Sequence, residues 1–120
     1  MGTVLVVDDA RTERELLGRV VQSAGHTVAY CEKIGEVLAR AEQIRPSLIF
    51  LDVVMPDGNG FNLCRQLKNN PVTAGIPVVL VTSKGSDSDK FWGRKQGADD
   101  HVVKPWTNET VLDLVRRYAK

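Results

Sequence analysis

Apolar residues in this chain fall into short unbroken runs, and each run stops at a polar or charged residue. Val4-Leu5-Val6-Val7 meets Asp8-Asp9, and Leu48-Ile49-Phe50-Leu51 meets Asp52. Pro77-Val78-Val79-Leu80-Val81 meets Thr82, and His101-Val102-Val103 meets Lys104. Short apolar runs bounded by turn residues predict strands buried on both faces. Thr27-Val28-Ala29-Tyr30 predicts a weaker strand after the first. Between the runs the apolar spacing becomes helical. Leu16, Leu17, Val20 and Val21 share one face of a first helix that stops near Gly25. Ile34, Val37, Leu38, Ala41 and Ile44 stripe a second, with Pro46 just past its end. Gly60-Phe61 opens a third, through Leu63, Cys64 and Leu67, and Asn69-Asn70-Pro71 breaks it. A fourth is predicted from about Asp87 to Gln96 with Gly97 as its C-cap, and a last carries Val111, Leu112, Leu114 and Val115.

Strand–helix repeated five times, with no linker or low-complexity segment, predicts one α/β domain over residues 1–120. The sheet should be parallel, with helices on both faces and right-handed crossovers. Among doubly wound arrangements the flavodoxin-like order 2-1-3-4-5 suits this length.

Composition narrows the function. The net charge of +1 makes no global case for nucleic acid or for an anionic membrane surface. Cys31 and Cys64 form no C-x-x-C pair and read as reduced thiols of a cytoplasmic protein. The apolar start is too short for a signal peptide or a membrane span, and Val6 stands where a myristoylation motif wants Ser or Thr.

Ligands of open parallel sheets collect at the carboxyl ends of the strands. There the predicted fold gathers Asp8, Asp9, Asp52, Thr82 and Lys104. Acids this close repel one another, by on the order of 4 kcal/mol per pair at 4 Å and an effective dielectric of 20. A lysine offsets part of that, and a divalent cation the rest. Oxygen-only ligands with room for water suit Mg²⁺ rather than zinc. The set fits phosphoryl transfer to a carboxylate: Asp52 attacks phosphorus, Mg²⁺ and Lys104 neutralise the phosphoryl oxygens, and Thr82 hydrogen-bonds one of them. Taken singly, each residue has an ordinary explanation, such as a helix N-cap for Asp8 or Asp9, a turn residue for Thr82 or a solvated lysine for Lys104. Five at successive strand ends do not. Asp57-Gly58-Asn59-Gly60 reads as a turn, since the remaining spacing of a calcium loop is missing.

Asp8-Asp9, Asp52-x-x-Met55-Pro56-x-Gly58, Thr82 and Lys104-Pro105 together resemble the receiver domain of bacterial two-component response regulators, over the whole chain. Chemotaxis receivers are standard examples of the 2-1-3-4-5 order, so that order rests on the resemblance as well as on length. The resemblance implies phosphorylation of Asp52 by a partner histidine kinase. It implies Mg²⁺ held by Asp9, Asp52 and the main-chain carbonyl of Val54, with Asp8 acting through water. It implies that Thr82 and Lys104 read the phosphate, and that the face of the fourth helix, fifth strand and fifth helix changes shape toward an unknown protein target. Such a domain is a phosphoacceptor with self-catalysed transfer and autodephosphorylation, and not an enzyme with an outside substrate.

Some positions depart from the family pattern. His101 stands where the family usually places Tyr or Phe as a rotating switch, and histidine buries less apolar area and ionises. An apolar Val54 cannot position a hydrolytic water, and Lys84 lies two beyond Thr82. The stretch Ser86 to Ala98 is similar to the fourth helix of stand-alone receivers in twitching-motility and phototaxis systems. Trp92 and Trp106 fall near the expected output face, and Gly93 weakens the middle of the fourth helix. With Lys120 directly after the last helix, no output domain is expected. A phosphate sink, a phosphorelay intermediate or a receiver fragment of a longer regulator reads the same way, as a monomer or a weak phosphorylation-dependent dimer. Two rivals lie outside the class. A haloacid-dehalogenase-type phosphatase needs a second Asp where Val54 stands, and a flavin carrier needs a phosphate loop where Asp8-Asp9-Ala10-Arg11 stands.

Overall fold

In the computed structural model, which describes residues 2–55, 58–83 and 96–119, the apolar runs pair into a single parallel sheet of five strands. The elements are β1 (Thr3–Val7), α1 (Arg11–Ser23), β2 (Thr27–Cys31), α2 (Ile34–Ile44), β3 (Leu48–Asp52), β4 (Val54–Met55), β5 (Gly58–Asn59), α3 (Gly60–Asn69), β6 (Val78–Thr82), β7 (Asp100–Val103) and α4 (Asn108–Tyr118). The sheet order is β2-β1-β3-β6-β7, the predicted 2-1-3-4-5. Val7 pairs with Leu51, Asp52 with Val81 and Thr82 with Val103, so the carboxyl ends of the central strands lie level.

Strand residues alternate between two cores, as the period of two requires. Leu5, Val7, Ile49, Leu51, Val78 and Leu80 pack under α2 and α3, with Val37, Ala41, Leu63, Cys64 and Leu67. Val4, Val6, Leu48, Phe50, Val79, Val81 and Val102 pack under α1 and α4, with Leu17, Val21, Val111, Leu114 and Val115. All five residues of β3 and of β6 are buried, which is why those runs are apolar throughout rather than alternating.

Local signals set the helix ends. The side chain of Asn59 accepts the Phe61 N–H at 2.7 Å and starts α3, and Thr107 accepts the Thr110 N–H at 3.2 Å and starts α4. Arg45 turns into the left-handed region at φ 45° and ends α2 before Pro46. Asp8 Oδ1 accepts the Ala10 N–H at 2.9 Å, so the first acid does help turn the chain into α1. The stretch after Asp52, expected to be a plain turn, contains a small antiparallel pairing of Val54 with Asn59 and Met55 with Gly58. The predicted fourth helix up to residue 95, together with Lys84, Trp92 and Gly93, lies outside the described residues, as do Pro56 and Asp57, and its expected last residue, Gln96, stands in a turn. Gly97 has the φ of 89° that a C-cap there requires.

Candidate functional site

Three side chains continue the alternation of the α1/α4 face at the carboxyl ends of their strands: Asp8 beyond Val6, Asp52 beyond Phe50, and Lys104 beyond Val102. They converge. The Lys104 ammonium lies 3.2 Å from Asp8 Oδ2 and 3.2 Å from Asp52 Oδ2. Its shortest contact, at 2.5 Å, is to Glu13 Oε2 on the first turn of α1. The Asp8 and Asp52 side chains are 8% and 10% exposed and that of Glu13 is 49% exposed, so the pocket has a closed floor and an open rim. The Lys104–Pro105 peptide is cis.

Burial and charge act together on these groups. Burial is the largest influence on Asp8, and with the charge of Asp52 it pushes the carboxyl up from 3.8 to about 6, against the Ala10 N–H and Lys104. Glu13 moves the other way, lowered chiefly by its hydrogen bond to Lys104. Burial works against the Lys104 ammonium, but the hydrogen bond to Glu13 and the charges of Asp52 and Asp8 outweigh it and raise its pKa. The lysine is therefore a fixed positive charge.

One oxygen each from Asp8, Glu13 and Asp52 can be chosen so that all lie within 4.8 Å of one another. This is an all-oxygen donor set, suited to a hard divalent cation such as Mg²⁺ and unsuited to zinc. Asp9, expected as a direct ligand, is exposed and is not a member of this set; Arg14 binds its main-chain carbonyl at 3.3 Å and that of Asp8 at 3.0 Å. Val54 contributes main chain at the start of the hairpin beside Asp52. Thr82 is 6% exposed and lies on the opposite parity, next to Val81, the register partner of Asp52; its carbonyl accepts the Lys104 N–H at 2.7 Å.

His101 and Trp106 flank Lys104 and are half-buried. His101 Nδ1 is 3.9 Å from Asp100 Oδ1, and the other oxygen of Asp100 accepts the Tyr118 hydroxyl at 2.9 Å and meets Arg117 at 3.3 Å. These contacts tie β7 to α4. Trp106 instead lines a cavity of about 670 Å³ shared with Asp8, Glu13, Ser83 and Lys104. Cys31 and Cys64 are both buried, and burial pushes Cys64 up to about 11, which makes it a poor nucleophile.

Three contributors escape a reading of the sequence. Glu13 falls five residues after Asp8, and only the start of α1 at Arg11 turns it over the strand ends. Arg14 reads as an ordinary surface arginine. Gly60 reads as a helix start, yet a Cβ there would lie 2.6 Å from the Asp52 carbonyl oxygen and 2.6 Å from Val53 Cα. Its N–H donates to the Val53 carbonyl at 3.1 Å, so α3 begins directly against the main chain of Asp52 and Val53.

The model of the response regulator receiver domain matches residues 4–116. This chain belongs to that family. The receiver is 41% identical over 115 residues to Protein PilH of Pseudomonas aeruginosa, covering 96% of this chain and 95% of that protein. It is 34% identical to the phosphate regulon transcriptional regulatory protein PhoB of the same organism, over 88% of this chain but only 46% of that protein. Among solved structures it is similar to chemotaxis protein CheY4 of Vibrio cholerae, with a TM-score of 0.92, 31% identity and 98% of each chain covered. The likeness to twitching-motility receivers agrees with the PilH match. The receiver is a signalling module of a two-component system. No helix among the described residues is long and apolar enough to cross a membrane.

Proposed function

We propose that Asp52 is the phosphoacceptor of this receiver and that a histidine kinase is its donor. The observation that carries this is the placement of one ammonium, that of Lys104, 3.2 Å from the carboxylates of both Asp52 and Asp8 at the ends of buried strands. An Asp52 carboxylate oxygen forms a bond to phosphorus as the P–N bond of a phosphohistidine breaks, and the leaving imidazole nitrogen retains the electron pair and takes up a proton. Asp52 is held for this by the floor of β3 and by the closeness of Gly60. Asp9, Asp52 and the Val54 carbonyl would hold Mg²⁺, with Asp8 acting through water. The ion supplies charge neutralisation on the phosphoryl oxygens. Lys104 would neutralise the same oxygens, and Thr82 would donate its hydroxyl to one of them.

The readout runs through β7 and α4, with His101 and Trp106 reporting the state of Lys104 to a protein target. His101 replaces the usual aromatic switch; Trp92, expected on the same face, lies outside the described residues. The domain works in the cytoplasm, without direct nucleic-acid contact, as a monomer or a weak phosphorylation-dependent dimer. The family match favours this reading over the phosphatase and flavin-carrier readings.

Acetyl phosphate replaces the kinase in a direct test. The wild-type chain should become labelled with Mg²⁺ present and stay unlabelled in excess chelator, and Asp52→Asn should abolish labelling. Undiminished labelling of the Asp52→Asn protein overturns the assignment.

A further inference from the structure

An ammonium has three N–H donors, and Lys104 has spent all of them on carboxylates: Asp8, Asp52 and Glu13. A phosphoryl group on Asp52 needs at least one of those donors. Asp8 and Asp52 form the buried floor, whereas Glu13 is 49% exposed at the rim and, with Asp8 and Lys104, lines the cavity of about 670 Å³. There the Lys104 ammonium is already engaged by its shortest contact, 2.5 Å to Glu13 Oε2.

We propose that Glu13 is a positioning residue that competes with the phosphoryl group for the Lys104 ammonium and so weakens capture of phosphodonors. The proposal rests on Asp52 being the phosphoacceptor. Before transfer, Glu13 occupies and neutralises the outward face of Lys104. After transfer, Lys104 turns its donor from Glu13 to a phosphoryl oxygen, and Glu13 is released to solvent. The competition is local. Glu15 lies on the same helix and pairs at 3.1 Å with Arg11 instead.

Glu13→Gln keeps a hydrogen-bond acceptor and removes the charge. With acetyl phosphate and Mg²⁺, the variant should reach half-maximal labelling rate at about two- to fivefold lower donor concentration, the span of a partly exposed ion pair. Glu15→Gln removes the same charge from the same helix and should behave as wild type. In a Lys104→Met background, checked for folding by circular dichroism, the effect of Glu13→Gln should disappear. Wild-type behaviour of Glu13→Gln, an equal gain from Glu15→Gln, or an undiminished gain in the Lys104→Met background each overturns the proposal. An unlabelled wild-type chain would instead overturn the Asp52 assignment.

Discussion

Asp8 carries much of the electrostatic cost of the pocket. Its carboxyl titrates at about 6 in the folded chain against an ordinary 3.8, raised chiefly by burial. The folded state therefore binds the proton more tightly than the unfolded state. Stability associated with that proton is present at low pH and is lost as pH rises from about 4 through about 6, by up to about 3 kcal/mol for a shift of this size. Glu13 has the opposite sign: its lowered pKa contributes stability that is lost as pH falls, and its exposure keeps that small. Asp8→Asn should flatten the decline between pH 4 and 6 and stabilise the chain at pH 7, read by urea denaturation at a series of pH values. An unaltered profile would contradict this account of Asp8. At this scale the sequence was legible wherever a residue's role follows from its strand. Asp8, Asp52, Thr82 and Lys104 each end an apolar run, and the sheet brings the ends level. Glu13 was not legible, because its place depends on the rotation of α1 about its axis.

At the scale of elements, the junction of β3 with α3 is the tightest point near the site. A methyl at Gly60 would meet the Asp52 carbonyl oxygen and Val53 Cα at 2.6 Å, and both are main-chain atoms that cannot step aside. Gly60→Ala should destabilise the chain by about 1–3 kcal/mol, the usual cost of overpacking, and should slow labelling of Asp52 by displacing its main chain. A thermal melt and a labelling time course read the two effects. Wild-type stability together with wild-type labelling would show that the junction yields more easily than its geometry says. The pairing of β4 with β5 escaped the sequence because two-residue strands are too short to carry a period. The five long strands were legible because their apolar runs are long enough to be buried on both faces.

For the molecule as a whole, two apolar cores on either side of one sheet fix the carboxylates at a shared edge, and folding places their charges together. A cation that binds only the folded chain must stabilise it. Mg²⁺ at a hundredfold excess over its dissociation constant should raise stability by about 2.7 kcal/mol, seen as a rise in Tm that a chelator reverses and that Asp52→Asn diminishes. A Tm indifferent to Mg²⁺ would contradict the cation-binding reading of the pocket. The doubly wound class was legible because strand–helix alternation leaves few ways to wind a parallel sheet of this length, and the 2-1-3-4-5 order rested also on the resemblance to receivers. Which face meets a partner was not, because no strand end or apolar run marks it in the sequence.

The central claim is that Asp52 accepts the phosphoryl group, and chemical trapping tests it most directly. An aspartyl phosphate is reduced by borohydride to homoserine, whereas a free carboxylate is not. After incubation with acetyl phosphate and Mg²⁺, reduction, proteolysis and mass spectrometry should place homoserine at position 52. Homoserine at Asp8 or Asp9 instead, or at no aspartate in a chain that has taken up label, would contradict the account.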